Sequence, residues 1–111
     1  MMLPNGHLAV VELAKLTDYC LDPRHPRGRH KARVFAARIG LVRQDASRLR
    51  MALLDAAADR DCAVAGAVDS FGARFVLDFP MSGPKGTALV RSAWIVLDGE
   101  DFPRFTSCYV F

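Results

Sequence analysis

Apolar positions recur about every 3.6 residues through the first half of this chain and every second residue afterwards, so the pattern predicts helices first and strands second. Leu8, Val11, Leu13, Leu16 and Tyr19/Cys20 fall near helical spacing and predict a short helix, or two half-helices broken at Thr17-Asp18. Asp22-Pro23 and His25-Pro26 exclude a helix across them, because a residue before proline is pushed to extended geometry. Residues 22–28 therefore read as a stiff loop. Ala32, Phe35, Ala36 and Ile39 stand at i, i+3, i+4 and i+7, which predicts a helix from Arg29 or His30 that Gly40 ends. On it His30, Arg33 and Ala37 share one flank, and Lys31 and Arg38 another. Asp45 is a suitable N-cap for a third helix to about Asp59, with Ala46, Leu49, Leu53, Ala56 and Ala57 inward and Arg48, Arg50 and Asp55 outward.

From Cys62 onward the period is two. Phe75, Leu77 and Phe79 alternate with Arg74, Val76 and Asp78, and Ser70 to Gly72 can turn this strand back on a strand over Cys62 to Asp69. Turns at Ser82 to Gly86 and Gly99 to Asp101 bound a long strand, Thr87 to Leu97, and a last one, Arg104 to Phe111. The order predicts an α+β domain in which N-terminal helices pack on a four-stranded antiparallel meander, one sheet face covered and the other open. A chain of 111 residues supports one domain, here a helical part over about 8–60 and a sheet part over about 62–111.

Charge adds something that the pattern does not show. Residues 22–38 carry six cations (Arg24, Arg27, Arg29, Lys31, Arg33, Arg38) and two histidines against one acid, leaving nine cations and eleven acids elsewhere. The excess positive charge of the chain sits wholly in that segment, at the junction of a loop and a helix start, where backbone N–H groups also favour anions. Phosphate is the ligand this predicts, with Arg24, His25, Arg27, Arg29 and Arg33 as binding residues. Arg91 lies among apolar neighbours in its strand and needs either an acid such as Asp78 or Asp69, or a ligand. Trp94 reads as core or as a stacking platform, with Arg104 and Tyr109 as further substrate contacts.

Several functions are not indicated. No P-loop, dinucleotide fingerprint or nucleophile elbow is present, so no cofactor is expected. Cys20, Cys62 and Cys108 are odd in number and widely spaced, so they read as small buried hydrophobes, and no metal site is expected. The longest apolar runs fall far short of the roughly 20 residues that span a bilayer, and the start lacks a signal-peptide pattern, which predicts a soluble cytoplasmic protein. Cleaving RNA without a metal needs a base for the 2′-hydroxyl, an acid for the leaving 5′-oxygen and fixed cations at phosphorus. His30 can carry a proton, Lys31 and Arg91 can hold the charge, and Thr106 can orient a phosphate oxygen. The competing reading of these residues is a solvated helix face and ordinary strand positions.

Lys15 to Phe35 resembles the opening of a small bacterial domain family of unknown function with the pattern KLxxYLLxPxHPxGxHKAxxF, Cys20 and Asp22 standing where Leu and Asn are usual. GPxG at Gly83 to Gly86, VRxxWI at Val90 to Ile95 and PRFxxxY at Pro103 to Tyr109 extend the resemblance to most of the chain. Members of that family occur alone and as terminal modules of larger toxin-like proteins. Its element order is similar to that of the barnase, EndoU, colicin and RelE-like nuclease toxins. What this resemblance implies is a metal-independent ribonuclease toxin with His30, Lys31, Arg91 and Thr106 as catalytic positions, RNA as substrate and a cognate antitoxin or immunity protein as partner. The alternative is a non-catalytic nucleic-acid-binding or protein-interaction module. If catalytic, the four residues should line one concave patch.

Overall fold

A computed structural model describes residues 1–111. Three short turns and two helices precede four strands: a 3-10 turn Gly6–Leu8, a π-helical turn Leu16–Cys20, α1 Arg29–Arg38, a 3-10 turn Arg43–Asp45, α2 Ala46–Asp59, β1 Val64–Val68, β2 Gly72–Gly83, β3 Gly86–Leu97 and β4 Arg104–Val110. The strands lie in the order β1-β2-β3-β4, each antiparallel to the next. This is the expected α+β meander. None of the helices is long and apolar enough to cross a membrane.

The core forms where the helical stripes meet the alternating strand positions. Phe35 and Ile39 of the α1 segment and Leu49, Leu53 and Ala57 of α2 pack with Leu77, Val90, Trp94, Phe105 and Cys108 from one sheet face. All five residues that the period of α2 sends inward are buried. Ser92 is the buried polar residue of this layer: its Oγ donates to Leu77 O at 2.6 Å and accepts from Trp94 Nε1 at 2.9 Å. Trp94 in turn meets Phe105 edge-on, with centroids 5.6 Å apart. The opposite sheet face is open, as expected, and β1 is exposed along its whole length.

Three expectations change. No single helix runs over residues 8–21: helical backbone is confined to residues 14–20 and continues through Thr17-Asp18 as the π-helical turn, while the backbone of Val10 is taken up by the sheet, Val10 N donating to Pro103 O at 3.0 Å and Phe105 N donating to Val10 O at 2.9 Å, which covers one end of the β4 edge. Leu8 and Leu13 are exposed while Val11 and Leu16 are buried. Asp45 does precede α2, yet its carboxylate turns back to accept from Val42 N at 2.9 Å instead of capping the helix. Cys62 is exposed and its Sγ faces Asp78 O at 3.3 Å, so it is not the buried hydrophobe expected, whereas Cys20 and Cys108 are.

Candidate functional site

The loop before α1 is built to fix where that helix starts. Asp22 Oδ1 accepts from Arg24 N at 2.9 Å, and His25 Nδ1 accepts from Arg27 N at 3.0 Å and Gly28 N at 2.9 Å. Because Nδ1 is an acceptor, the neutral ring of His25 carries its proton on Nε2. The same ring stands edge-on to Tyr19, centroids 4.8 Å apart, which ties the loop to the π-helical turn. Gly28 closes the junction: a Cβ there would lie 2.0 Å from Tyr19 O. His25, expected to bind substrate, is thus engaged in holding the loop.

This docking delivers Lys31 to β4. Its Nζ donates to Tyr19 OH at 2.7 Å and to Ser107 Oγ at 3.0 Å, and sits 4.5 Å from the centroid of the Tyr19 ring. All three residues are half-buried, so the cluster is open to solvent on one side. The partner on β4 is Ser107 and not Thr106, because the β3–β4 register shifts between Ala93 and Trp94 and leaves Thr106 without an opposite number. Thr106 Oγ1 instead donates to Ala93 O at 3.0 Å. Lys15 Nζ donates to Phe105 O at 2.8 Å and secures the same strand from the N-terminal side.

Beneath the cluster lie two buried thiols. Cys20 Sγ is 3.9 Å from Ser107 Oγ. The hydrogen bond from Cys108 draws the Cys20 thiol down to about 7, with Ser107 and the charge of Lys31 acting in the same direction against burial. Burial pushes Cys108 up.

On the other flank of α1, Arg24, Arg29, Arg33 and Arg43 line a cleft of about 710 Å³ floored by Leu21 and Ala32. Arg43 is tied to Thr17 O at 2.7 Å and to Asp18 at 3.3 Å. The ion pairs of the structure are Met1–Asp61, Arg43–Asp18, Arg74–Asp69, Arg91–Asp78 and Arg104–Glu100, so none of the six cations between Arg24 and Arg38 has an acidic partner. His30 is exposed and its imidazole makes no hydrogen bond within the protein. Successive helix residues turn by about 100°, so His30 lies on the exposed crest between the Lys31 cluster and the arginine cleft.

The four expected catalytic residues do not share one patch. Val90 and Ser92 are buried against the helices, so strand alternation sends Arg91 to the open face. There its guanidinium makes a bidentate pair with Asp78, Nε to Oδ1 at 2.9 Å and Nη2 to Oδ2 at 2.8 Å, and lies 4.6 Å over the Phe111 ring. Asp78 first, and then Tyr109, hold Arg91 still more firmly protonated than usual. Tyr109 lies on that open face too, opposite Arg91 in register, away from α1. Arg104 is paired with Glu100 at 2.7 and 2.8 Å and lowers its carboxyl below the usual range. Trp94, 1% exposed, has no face to offer a base. Tyr19 and Ser107 are the contributors that sequence reasoning passed over. Tyr19 stands within the KLxxY pattern, a signal that was there to be read, while nothing in the sequence marks the register shift that presents Ser107. Nowhere do three or more His, Cys, Asp or Glu side chains gather as metal ligands would.

The family described as "Domain of unknown function (DUF6883)" matches residues 2–111. No curated protein matches the sequence. Among solved structures, the fold is similar to a chain of a contact-dependent growth inhibition toxin–immunity protein complex from Klebsiella pneumoniae 342, with a TM-score of 0.71 at 18% identity, covering 92% of this chain and 99% of that one.

Proposed function

This chain belongs to the DUF6883 family, and from that premise we propose that it is a toxin-type domain that binds and cleaves RNA along α1 without a metal. The observation that supports this reading is the clustering of six cations with no acidic partner between Arg24 and Arg38, whereas the unpaired cations elsewhere, Lys15, Arg48, Arg50, Arg60 and Lys85, are scattered along the chain. Arg24, Arg29 and Arg33, unpaired around a cleft that Asp22 and the Asp18-paired Arg43 also line, are the expected form of a phosphate track. Lys31, held at the loop junction by Tyr19 and Ser107, is the cation for the scissile phosphate, and His30 on the crest beside it is the base for the 2′-hydroxyl. The similar chain is named from a toxin–immunity protein complex, which supports a neutralising protein as the partner of this one. An acidic surface laid over α1 would cover the same cations.

The arginines test the binding half of this reading. Replacing Arg24, Arg29 and Arg33 together by Gln should weaken RNA affinity and make the plot of log affinity against log salt shallower by about two, at about 0.7 for each phosphate no longer neutralised. The unfolding midpoint should hardly move, since exposed unpaired cations contribute little to folding. Fluorescence anisotropy over a salt series reads the slope. An unchanged slope would mean that the cleft faces no polyanion.

A further inference from the structure

We infer that Tyr19 is the general acid of RNA cleavage, the group that protonates the leaving 5′-oxygen; the inference rests on the ribonuclease reading above and names the second proton carrier that it lacks. An ammonium group has three protons and no lone pair, so in the 2.7 Å bond Lys31 Nζ must donate and Tyr19 OH must accept. Tyr19 hydrogen-bonds to no other atom through its hydroxyl, which leaves the phenolic proton uncommitted on a half-buried side chain open to solvent. Ser107 differs, because its hydroxyl also faces Cys20 Sγ at 3.9 Å. Lys31 meets the Tyr19 side chain at its oxygen and over its ring, and His25 packs against the ring in a T-shaped contact.

A neutral phenol carries a proton to give, which suits an acid better than a base. The chemistry then balances. His30 takes the proton of the 2′-hydroxyl, the 2′-oxygen forms its bond to phosphorus, and the P–O5′ bond breaks. Its electron pair leaves on the 5′-oxygen, which receives the proton of Tyr19. The products are a 2′,3′-cyclic phosphate and a free 5′-hydroxyl, and the Tyr19 phenolate faces the Lys31 ammonium until solvent returns the proton that His30 gained. Lys31 thus acts on the phosphorane and on the phenolate from one position, and Ser107 holds it there.

Tyr19→Phe keeps the ring against His25 and removes only the hydroxyl. Three quantities decide the matter for wild type and variant: the cleavage rate of an RNA oligomer, the affinity for the 2′-deoxy analogue that lacks the attacking hydroxyl, and the thermal midpoint. The expected result is a wild type that cleaves and a Tyr19→Phe protein that is folded, binds the analogue within about threefold and cleaves about 100-fold slower or worse, with 5′-oxygen leaving groups of low basicity restoring most of the rate. A variant that cleaves within about tenfold of wild type overturns the role of Tyr19 and leaves the ribonuclease reading intact. A variant that loses analogue binding in step with cleavage also overturns it, making Tyr19 a binding residue. A wild type that binds the analogue and leaves RNA whole overturns both.

Discussion

Lys31→Met should reduce RNA cleavage by about 10²–10³-fold, the loss usual when one fixed donor is taken from a developing anion. Methionine matches the length of the lysine stem and removes the charge, so packing against the Tyr19 ring survives. The two hydroxyls it releases, Tyr19 OH and Ser107 Oγ, are half-buried and can turn to water, which limits the cost in stability to about 1 kcal/mol. Lys31→Arg should fail to restore the rate, because a planar guanidinium cannot reproduce a compact point charge placed 2.7 and 3.0 Å from two hydroxyls. Arg91→Ala, in the same assay, should leave the rate unaltered: its pair with Asp78 is on the open face, with side chains 40% and 31% exposed, and pairs of that kind contribute little. Single-turnover rates with excess protein read all three. Equal losses for Lys31→Met and Arg91→Ala would place the chemistry somewhere other than the Lys31 cluster.

Gly28→Ala should be among the most damaging single methyl groups in the molecule, with those at Gly6, Gly72 and Gly83, which would also meet backbone oxygens. At Gly28 the Cβ would lie 2.0 Å from Tyr19 O and 2.8 Å from Tyr19 C, both backbone atoms that cannot swing aside. Either α1 lifts from the π-helical turn or the turn moves, and each outcome breaks the line from Gly28 through Tyr19 to Lys31. Overpacking of this kind costs about 1–3 kcal/mol or more. For a domain of this size that lowers the thermal midpoint by on the order of 10 °C. Cleavage should fall with it, since the Tyr19–Lys31 bond depends on that junction. Gly66→Ala is the matching control, because the nearest atom to its Cβ is Arg74 O at 3.4 Å, an ordinary separation on an exposed strand. A Gly28→Ala protein as stable as the Gly66→Ala protein would contradict the close docking of the loop on the turn.

The parts of the fold that sequence made legible are those in which one face is buried and the other is not. The stripe Ala46, Leu49, Leu53, Ala56, Ala57 and the alternation of Phe75, Leu77 and Phe79 have a single energetic solution, and the structure adopts it. The N-terminal segment was not legible because its geometry is decided by partners far along the chain, Pro103 and Phe105 taking the backbone of Val10. The basic segment was visible as charge. The joint site expected of His30, Lys31, Arg91 and Thr106 was not realised as one patch, for two local reasons. Strand alternation assigns Arg91 to the face away from α1, which counting residues from Ser92 would have shown. A register shift in the β3–β4 pairing exchanges Thr106 for Ser107, and no spacing rule reveals that. Tyr19, His25, Gly28 and Lys31 of the resemblance pattern are joined by the geometry into one device that seats the start of α1 on the π-helical turn.

Purified protein incubated with RNA in the presence of a strong chelator, followed by determination of the product ends, tests whether this domain carries out the chemistry assigned to it. The account predicts fragments ending in 2′,3′-cyclic phosphate and 5′-hydroxyl, formed at the same rate with and without chelator. RNA left intact by a molar excess of folded protein, or cleavage that disappears with the chelator, would contradict it.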